Sequence, residues 1–285
     1  MQKTKPRISV VIPAYNEEKY LAECLASFQN QSFKSFELIV VDNNSTDRTA
    51  EIAKSFGARI VHETVQGMIP ARERGFREAL APIIARTDAD TLVPPNWLEI
   101  IYSTFQSHPK TVGLLGVLSA PNEKMPDQIF LWFTKIFFVN LGKFFTGHVF
   151  MIGSNMALKK SAWEKVKVHT LDKLVNEDVD LACHLSEVGE ILFVPNLIVP
   201  ISLRRVVENP WKGAARYLGD YPFRYIRTIL IHNSRFKYLK IEYPYTTSIQ
   251  WSTSWRRFVK KTRTRMNKTR TKITDRMKLR KPTPS

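Results

Sequence analysis

The 285-residue chain holds only two cysteines, Cys24 and Cys183, both in helix-like stretches far apart in sequence. Two such thiols give no disulfide framework and fit a reducing compartment. The chain also lacks an uninterrupted apolar run of bilayer length. Its richest stretch, 128–151, is broken by Lys135, Asn140, Lys143 and His148, which makes it a poor transmembrane span. Met1 to Arg7 is basic and leads directly into a short β-branched run, without the apolar core or cleavage site of a signal peptide. No internal repeat is present, and the only compositionally biased segment is a Lys/Arg/Thr-rich tail. Acidic residues are outnumbered, 26 Asp+Glu against 43 Lys+Arg, for a net charge of +17.

That excess is local. Arg256 to Lys281 contains 13 Lys+Arg and one acid, Asp275, so +12 of the charge belongs to the tail and +5 to the remainder. Basic tails bind anionic surfaces or stay solvated. With basic and aromatic residues interleaved from Trp211 to Tyr238, two partner classes arise, an anionic membrane or a nucleic acid gripped through its phosphates. The charge lies outside the segment that carries the polar motifs described next. That location suits an accessory tether to anionic lipid better than a recognition surface, so no specific nucleic-acid partner is expected.

What the chain does have is ample core material, 44% apolar residues with six Trp and 17 Phe, in an alternating order. Ile8 to Pro13 reads as a strand, Glu17 to Gln31 as a helix, and Phe36 to Val41 as a strand ending at Asp42. Arg48 to Phe56 reads as a helix, Arg59 to His62 as a strand, Gly67 to Leu80 as a helix and Pro82 to Thr87 as a strand. A helix over Pro94 to Gln106, a strand over Val112 to Ser119, helices over Ala162 to Val168 and Asp178 to Val188, and a strand over Ile191 to Val194 follow. Strand and helix alternating in units of about thirty residues argue for βαβ crossovers, hence an α/β, doubly wound, mainly parallel sheet flanked by helices. In such sheets ligands collect at the carboxyl ends of the strands. Asp42, Asp88, Asp90 and the segment Ala14-Tyr15-Asn16-Glu17 all stand there.

Asp88-Ala89-Asp90 closes the apolar run Pro82-Ile83-Ile84-Ala85. Two carboxylates one residue apart at a buried strand end need a counter-charge, and Mg²⁺ or Mn²⁺ suits hard oxygen donors. Alone, the pair would be an ordinary solvated turn; the motifs around it change that reading.

Val11-Ile12-Pro13-Ala14-Tyr15-Asn16-Glu17-Glu18, Val40-Val41-Asp42-Asn43-Asn44-Ser45-Thr46-Asp47, Gly67 with Ala71-Arg72 and Gly75, Asp88-Ala89-Asp90, Gly153-Ser154-Asn155 and Asn176-Glu177-Asp178 occur in that order. As a set, over about residues 6–205, they resemble a family 2 glycosyltransferase of the non-processive type. The resemblance implies a GT-A fold, a nucleotide-diphosphate-sugar donor of UDP, GDP or dTDP type and a divalent metal. It also implies a glycan or lipid-linked acceptor. Two departures stand out. The family's usual Asp-Asp-Gly-Ser reads Asp42-Asn43-Asn44-Ser45 here, and the Gln-x-x-Arg-Trp of processive members is absent.

On that resemblance Pro13, Ala14, Tyr15, Glu17, Asp42 and Asp88 line the donor, Asp90 with Asp88 holds the metal, and Asp178 is the base. Gly153, Ser154, Asn155 and Glu177 stand on the acceptor side, while Arg204 and Arg205 could close over the diphosphate. Arg72 reaches a phosphate or pairs with Glu73 or Glu78. Without the resemblance, Asn176-Glu177-Asp178 reads first as a helix cap with acids favouring the macrodipole. The expected organisation is a catalytic domain over 1–205, with a nucleotide-sugar half over about 6–120 and an acceptor half over about 121–205. A basic, aromatic helical extension over 206–255 and a disordered or membrane-associated tail over 256–285 complete it. In 128–151, Trp132, Phe137, Phe138, Phe144 and Phe145 with Lys135 and Lys143 are either core or an interfacial element. With the tail they suggest a cytoplasmic protein held peripherally at the inner face of the cell membrane. A polyprenyl-phosphate sugar synthase is the alternative enzyme.

Overall fold

A computed structural model of the chain describes residues 5–119, 127–168, 174–200, 211, 215 and 219–232. The described residues all belong to one compact unit. The polybasic tail and most of the expected extension lie outside the described residues.

The elements run β1 (Ile8–Ala14), α1 (Leu21–Gln29), β2 (Phe36–Asp42), α2 (Thr49–Ser55), β3 (Arg59–His62), α3 (Met68–Glu78), β4 (Ile83–Arg86), α4 (Trp97–Ser107) and β5 (Thr111–Ser119). A continuous helical run follows, α5 (Asp127–Thr134), a π-helical stretch (Lys135–Asn140) and α6 (Leu141–Thr146). Then come a 3₁₀ turn (Gly153–Asn155), β6 (Met156–Lys159), α7 (Lys160–Trp163), α8 (Glu177–Ser186), β7 (Glu190–Pro200) and α9 (Tyr221–His232). The seven strands make one sheet in the order β3-β2-β1-β4-β6-β5-β7. β1 pairs in parallel with β2 and β4, β2 with β3, and β5 with β7, while β6 runs antiparallel between β4 and β5. This is the mainly parallel, helix-flanked sheet the alternation of elements implies.

Both faces of the central strands are covered, so their sequences are apolar throughout rather than alternating. Ile8, Val10 and Ile12 pack on α1 and α4 side residues such as Leu25, Phe28 and Trp97, while Val11 packs on the opposite side with Ala71 and Phe76 of α3. Gly75 lets α3 lie directly on the sheet, since a methyl group there would strike Val11 and Val41. A third, smaller cluster joins Phe150, Val179, Cys183 and Ile229, bringing α9 against α8.

Four local expectations differ from the structure. Helix α1 starts at Leu21, not Glu17: residues 18–20 form a turn closed by Tyr20 N and Leu21 N on the Glu17 carbonyl at 3.0 and 2.9 Å, while the amides of Glu17 and Glu18 donate to Thr49 Oγ1 at 2.8 Å and Asp47 Oδ2 at 3.1 Å. The helix expected over Ala162 to Val168 is a single α-turn, Lys160–Trp163, followed by further turns. Strand β6 has no counterpart among the expected elements. Strand β7 does not stop at Val194 but continues through Pro195; as an edge strand paired only with β5, it can hold a proline without losing a ladder bond.

Candidate active site

The ends of β1 and β2 are tied to each other through side chains. Asn16 and Asn44 adopt left-handed conformations, φ 54° and 65°, which asparagine tolerates better than most residues. Asn44 stands where the family pattern has glycine, and its φ explains why the substitution works. Asn16 Oδ1 accepts from Thr46 N at 2.8 Å, and Asn16 N donates to Ser45 Oγ at 3.1 Å. Asn43 is buried and fastens the β3–α3 loop. Its Nδ2 donates to the carbonyls of Glu63 and Val65, and its Oδ1 accepts from Gly67 N at 2.7 Å. Asp42 is aimed by Ser45 N at 3.0 Å on one oxygen and His62 Nδ1 at 3.2 Å on the other. Pro13 and Ala14 end β1, and Tyr15 beyond them is half exposed.

Asp88 and Asp90 follow β4. Between this turn and α1 lies the thiol of Cys24, which contacts the Asp88 carbonyl at 3.6 Å. Burial pushes that thiol up to about 12, and the charges of Asp90, Asp88 and Glu17 push it in the same direction. Three carboxylates therefore converge on one neighbourhood at the carboxyl end of the sheet. Two of them, one residue apart, are hard oxygen donors in partly exposed positions. This donor set fits Mg²⁺ or Mn²⁺. A shallow cleft of about 480 Å³ opens beside the loop, lined by Leu92, Pro94, Asn96, Ser119, Ile198 and Pro200.

The other side of the site is built on Arg86, the last residue of β4 and 3% exposed. Its Nη1 donates to Asp178 Oδ1 at 2.7 Å and its Nη2 to Asp88 Oδ1 at 3.4 Å. Burial alone would lower the arginine's pKa, but Asp178, Asp88 and Glu177 outweigh it and the net shift is upward. Gly153 leaves the space this guanidinium occupies, since a methyl group at 153 would overlap it. The Gly153 amide then donates to Asp178 Oδ2 at 2.7 Å. Asp178 is thus gripped on both oxygens by two elements that meet only in the folded chain.

Asn176, not Asp178, caps α8, accepting from Val179 N at 3.1 Å. Glu177, in the first turn of α8, holds its proton to higher pH than a free glutamate, first through burial and then through the charge of Asp178. Arg72 is fully buried; it pairs with Glu73 at 2.9 Å and donates to the Glu177 carbonyl at 2.7 Å. It meets the active-site helix α8 from behind. Asn155 is also fully buried, accepting from Trp97 Nε1 at 2.9 Å and donating to the carbonyls of Val117 and Leu197 at 2.9 and 2.8 Å. Its side chain knits α4, β5 and β7 together, while the carbonyl of Ser154 accepts from Thr87 Oγ1 at 2.9 Å.

The fold therefore brings Asp88, Asp178, Gly153 and Glu177 together around Arg86, and Asp42, Glu17 and Tyr15 to neighbouring strand ends. Arg204 and Arg205 lie outside the described residues. Sequence reasoning missed Arg86 and His62. Arg86 sits two residues before Asp88, and a charged residue ending an otherwise apolar strand was the available signal.

Residues 9–167, more than half of the chain, match the model of the family described as Glycosyl transferase family 2. The chain belongs to this glycosyltransferase family. Glycosyltransferase GlyG of Streptococcus pneumoniae is 36% identical over 105 residues, 35% of this chain and 35% of that protein. The chain matches over only about a third of the length of GlyG and similar curated relatives. A longer match, 23% identical over 232 residues, covers 74% of the chain and 71% of the dolichyl N-acetyl-alpha-D-glucosaminyl phosphate 3-beta-D-2,3-diacetamido-2,3-dideoxy-beta-D-glucuronosyltransferase of Methanococcus voltae. Among solved structures, the mannosyltransferase PcManGT of Pyrobaculum calidifontis, in complex with GDP-Man and Mn²⁺, superposes with a TM-score of 0.58 at 20% identity. That superposition covers 79% of this chain and 65% of PcManGT. The glycosyltransferase thus has the GT-A fold, and no described helix is long and apolar enough to cross a membrane.

Proposed function

We propose that this family member is a metal-dependent, inverting glycosyltransferase that moves a sugar from a nucleoside-diphosphate donor to the hydroxyl of a lipid-linked glycan. The observation that carries the reading is the Arg86 bridge, a single guanidinium bonded to both Asp88 and Asp178. It sets a donor-side carboxylate and the proposed base, Asp178, across one cation from each other. Asp178 accepts the proton of the acceptor hydroxyl as that oxygen attacks the anomeric carbon, and the bond from that carbon to the diphosphate breaks. Attack from the face opposite the leaving group inverts the configuration. Arg86 and the Gly153 amide fix the carboxylate's orientation throughout. Asp42 and Tyr15 contact the nucleoside, and Asp88 with Asp90 would hold Mg²⁺ or Mn²⁺. When bound, that cation supplies Lewis-acid neutralisation of the departing diphosphate.

The lipid-linked acceptor is supported by the name of the Methanococcus relative, whose substrate is a dolichyl phosphate glycan, and by an apolar surface. Trp132, Phe137 and Phe144 point outward on the run from α5 to α6, near exposed Lys135 and Lys143. On α9, Phe223, Ile226 and Leu230 are exposed at helical spacing. Together with the +12 tail they suit peripheral attachment to the anionic inner face of the cell membrane.

The test is a screen of UDP-, GDP- and dTDP-sugars with Mn²⁺, read by nucleotide release and calorimetry. One donor should bind and turn over. Folded protein that binds no nucleotide sugar would overturn the reading, and transfer to a bare lipid phosphate would convert it to a polyprenyl-phosphate sugar synthase.

A further inference from the structure

Away from the strand ends, α8 carries Asp180 and His184 one turn apart, and α9 brings His232 against them. Asp180 Oδ1 lies 2.7 Å from His232 Nε2 and 3.6 Å from His184 Nε2. One ligand-capable atom from each of the three falls within 4.8 Å of the others. The two imidazoles meet edge to face, centroids 4.9 Å apart at 90°. The Asp180 side chain is 2% exposed, against 17% and 12% for the histidines, so the carboxylate is buried and both rings are mostly so.

We propose that Asp180, His184 and His232 form a second metal site, one that takes a transition-metal dication of the Zn²⁺ type and fastens α9 to α8. Bonds of about 2.0–2.2 Å around a tetrahedral Zn²⁺ separate its ligand atoms by roughly 3.3 Å. The two distances from Asp180 bracket that value and the third pair lies within 4.8 Å, so the three ligand atoms stand close to the spacing such an ion needs. Two imidazoles and one carboxylate favour Zn²⁺, Co²⁺ or Cu²⁺ over Mg²⁺ and Mn²⁺, which distinguishes this cluster from the all-oxygen pair Asp88 and Asp90. Cys183, the nearest soft donor in sequence, is not part of it.

The location gives the site a consequence. Contacts between the helices advance by one turn on each: Asn176 N donates to Thr228 Oγ1 at 2.8 Å, and Asp180 pairs with His232. The first of these contacts is at the cap of α8, two residues before Asp178. A dication at the second would pin the helix that aims Asp178, and with it the exposed Phe223, Ile226 and Leu230 of α9. This inference concerns binding and stands whether or not glycosyl transfer is the reaction.

The experiment uses the full chain, stripped with chelator and titrated with Zn²⁺ by calorimetry, with Co²⁺ as a visible probe. The wild type should bind one tight equivalent of Zn²⁺, gain thermal stability on binding, and give the d–d absorption of tetrahedral Co²⁺. His184→Gln and His232→Gln should each weaken binding at least tenfold while circular dichroism stays unchanged, and Asp90→Asn should leave it intact. If His232→Gln does not fold, the wild-type Co²⁺ spectrum still decides. Absence of tight Zn²⁺ binding, an octahedral Co²⁺ spectrum, or Zn²⁺ lost in Asp90→Asn but kept in the histidine variants would overturn the site and leave a hydrogen-bonded Asp–His latch.

Discussion

The two halves of the catalytic unit reach the same site by different routes. From β1 to α4 every strand is followed by its own helix, and Asp42, Asp88 and Asp90 arrive at strand ends simply because each strand stops there. From β5 onward the route is non-local: β6 is inserted antiparallel, and Asp178 is held by an arginine 92 positions away. On the proposed reading the first half serves as a binding floor specified element by element, and the second completes a catalytic wall only once Gly153 and α8 have met Arg86 of β4. Damage to the first should therefore register as lost donor or metal affinity. Damage to the second should register as lost rate or lost stability.

The largest effect expected on the floor follows Asp90→Asn, which removes charge facing the cation while keeping shape. Metal-supported donor hydrolysis and transfer should fall to background with the fold retained by circular dichroism. Wild-type turnover in this variant, or full wild-type activity in the presence of a chelator, would contradict the assignment.

On the wall, Arg86→Met takes the buried cation away from Asp178 and Asp88, which are themselves 20% and 33% exposed. Because solvent reaches both carboxylates, the loss should fall below the about 3–5 kcal/mol of a fully buried pair broken from one side, and it is measurable by urea unfolding. Adding Asp178→Asn to Arg86→Met should recover part of that loss, because one stranded charge disappears; an additive double variant would show that the pair is not coupled. Asn155→Ala is expected to cost at least about 3 kcal/mol, since it orphans the Trp97 indole N–H and the carbonyls of Val117 and Leu197, each worth roughly 1–3 kcal/mol when buried unpaired. Donor affinity should be nearly unchanged.

The smallest effect is a pH dependence at Glu177. Its folded pKa is raised, so the folded state binds more protons than the unfolded state between the two pKa values. Stability should decline as pH rises from the ordinary glutamate range, about 4.3, through the raised folded value. Glu177→Gln removes the group and should flatten that decline in pH-dependent melting curves. An unchanged pH profile would show that Glu177 does not titrate differently in the folded and unfolded chain.

How much was legible follows the same division. Strand ends bearing Asp42 and Asp88 could be read from apolar runs and their terminators, because the information is local. Arg86 was in plain sight within the run leading to Asp88, yet its partner Asp178 is 92 residues on, and no periodicity reports such a distance. Asn155 reads as a polar turn residue beside glycine and serine. Only the fold reveals that Trp97 and two strand carbonyls enclose it. Strand β6 escaped for the same reason, since Met156–Lys159 is too short to alternate visibly and gains its pairing from β4 and β5. Pro195 misled in the opposite direction, marking an end where an edge strand simply continues.

The central claim, that binding and chemistry are divided between the halves, is tested most directly at Asp178. Because Asn176 is the cap of α8, Asp178→Asn leaves the helix start intact and probes the carboxylate alone. Donor affinity by calorimetry and transfer rate with a competent acceptor should be measured on the same preparation. Affinity for donor and metal should stay within a few-fold of wild type while transfer falls on the order of 10²–10⁴-fold, the usual loss for a missing general base. Near-normal transfer by folded Asp178→Asn protein, or a collapse of donor affinity in step with rate, would contradict the account.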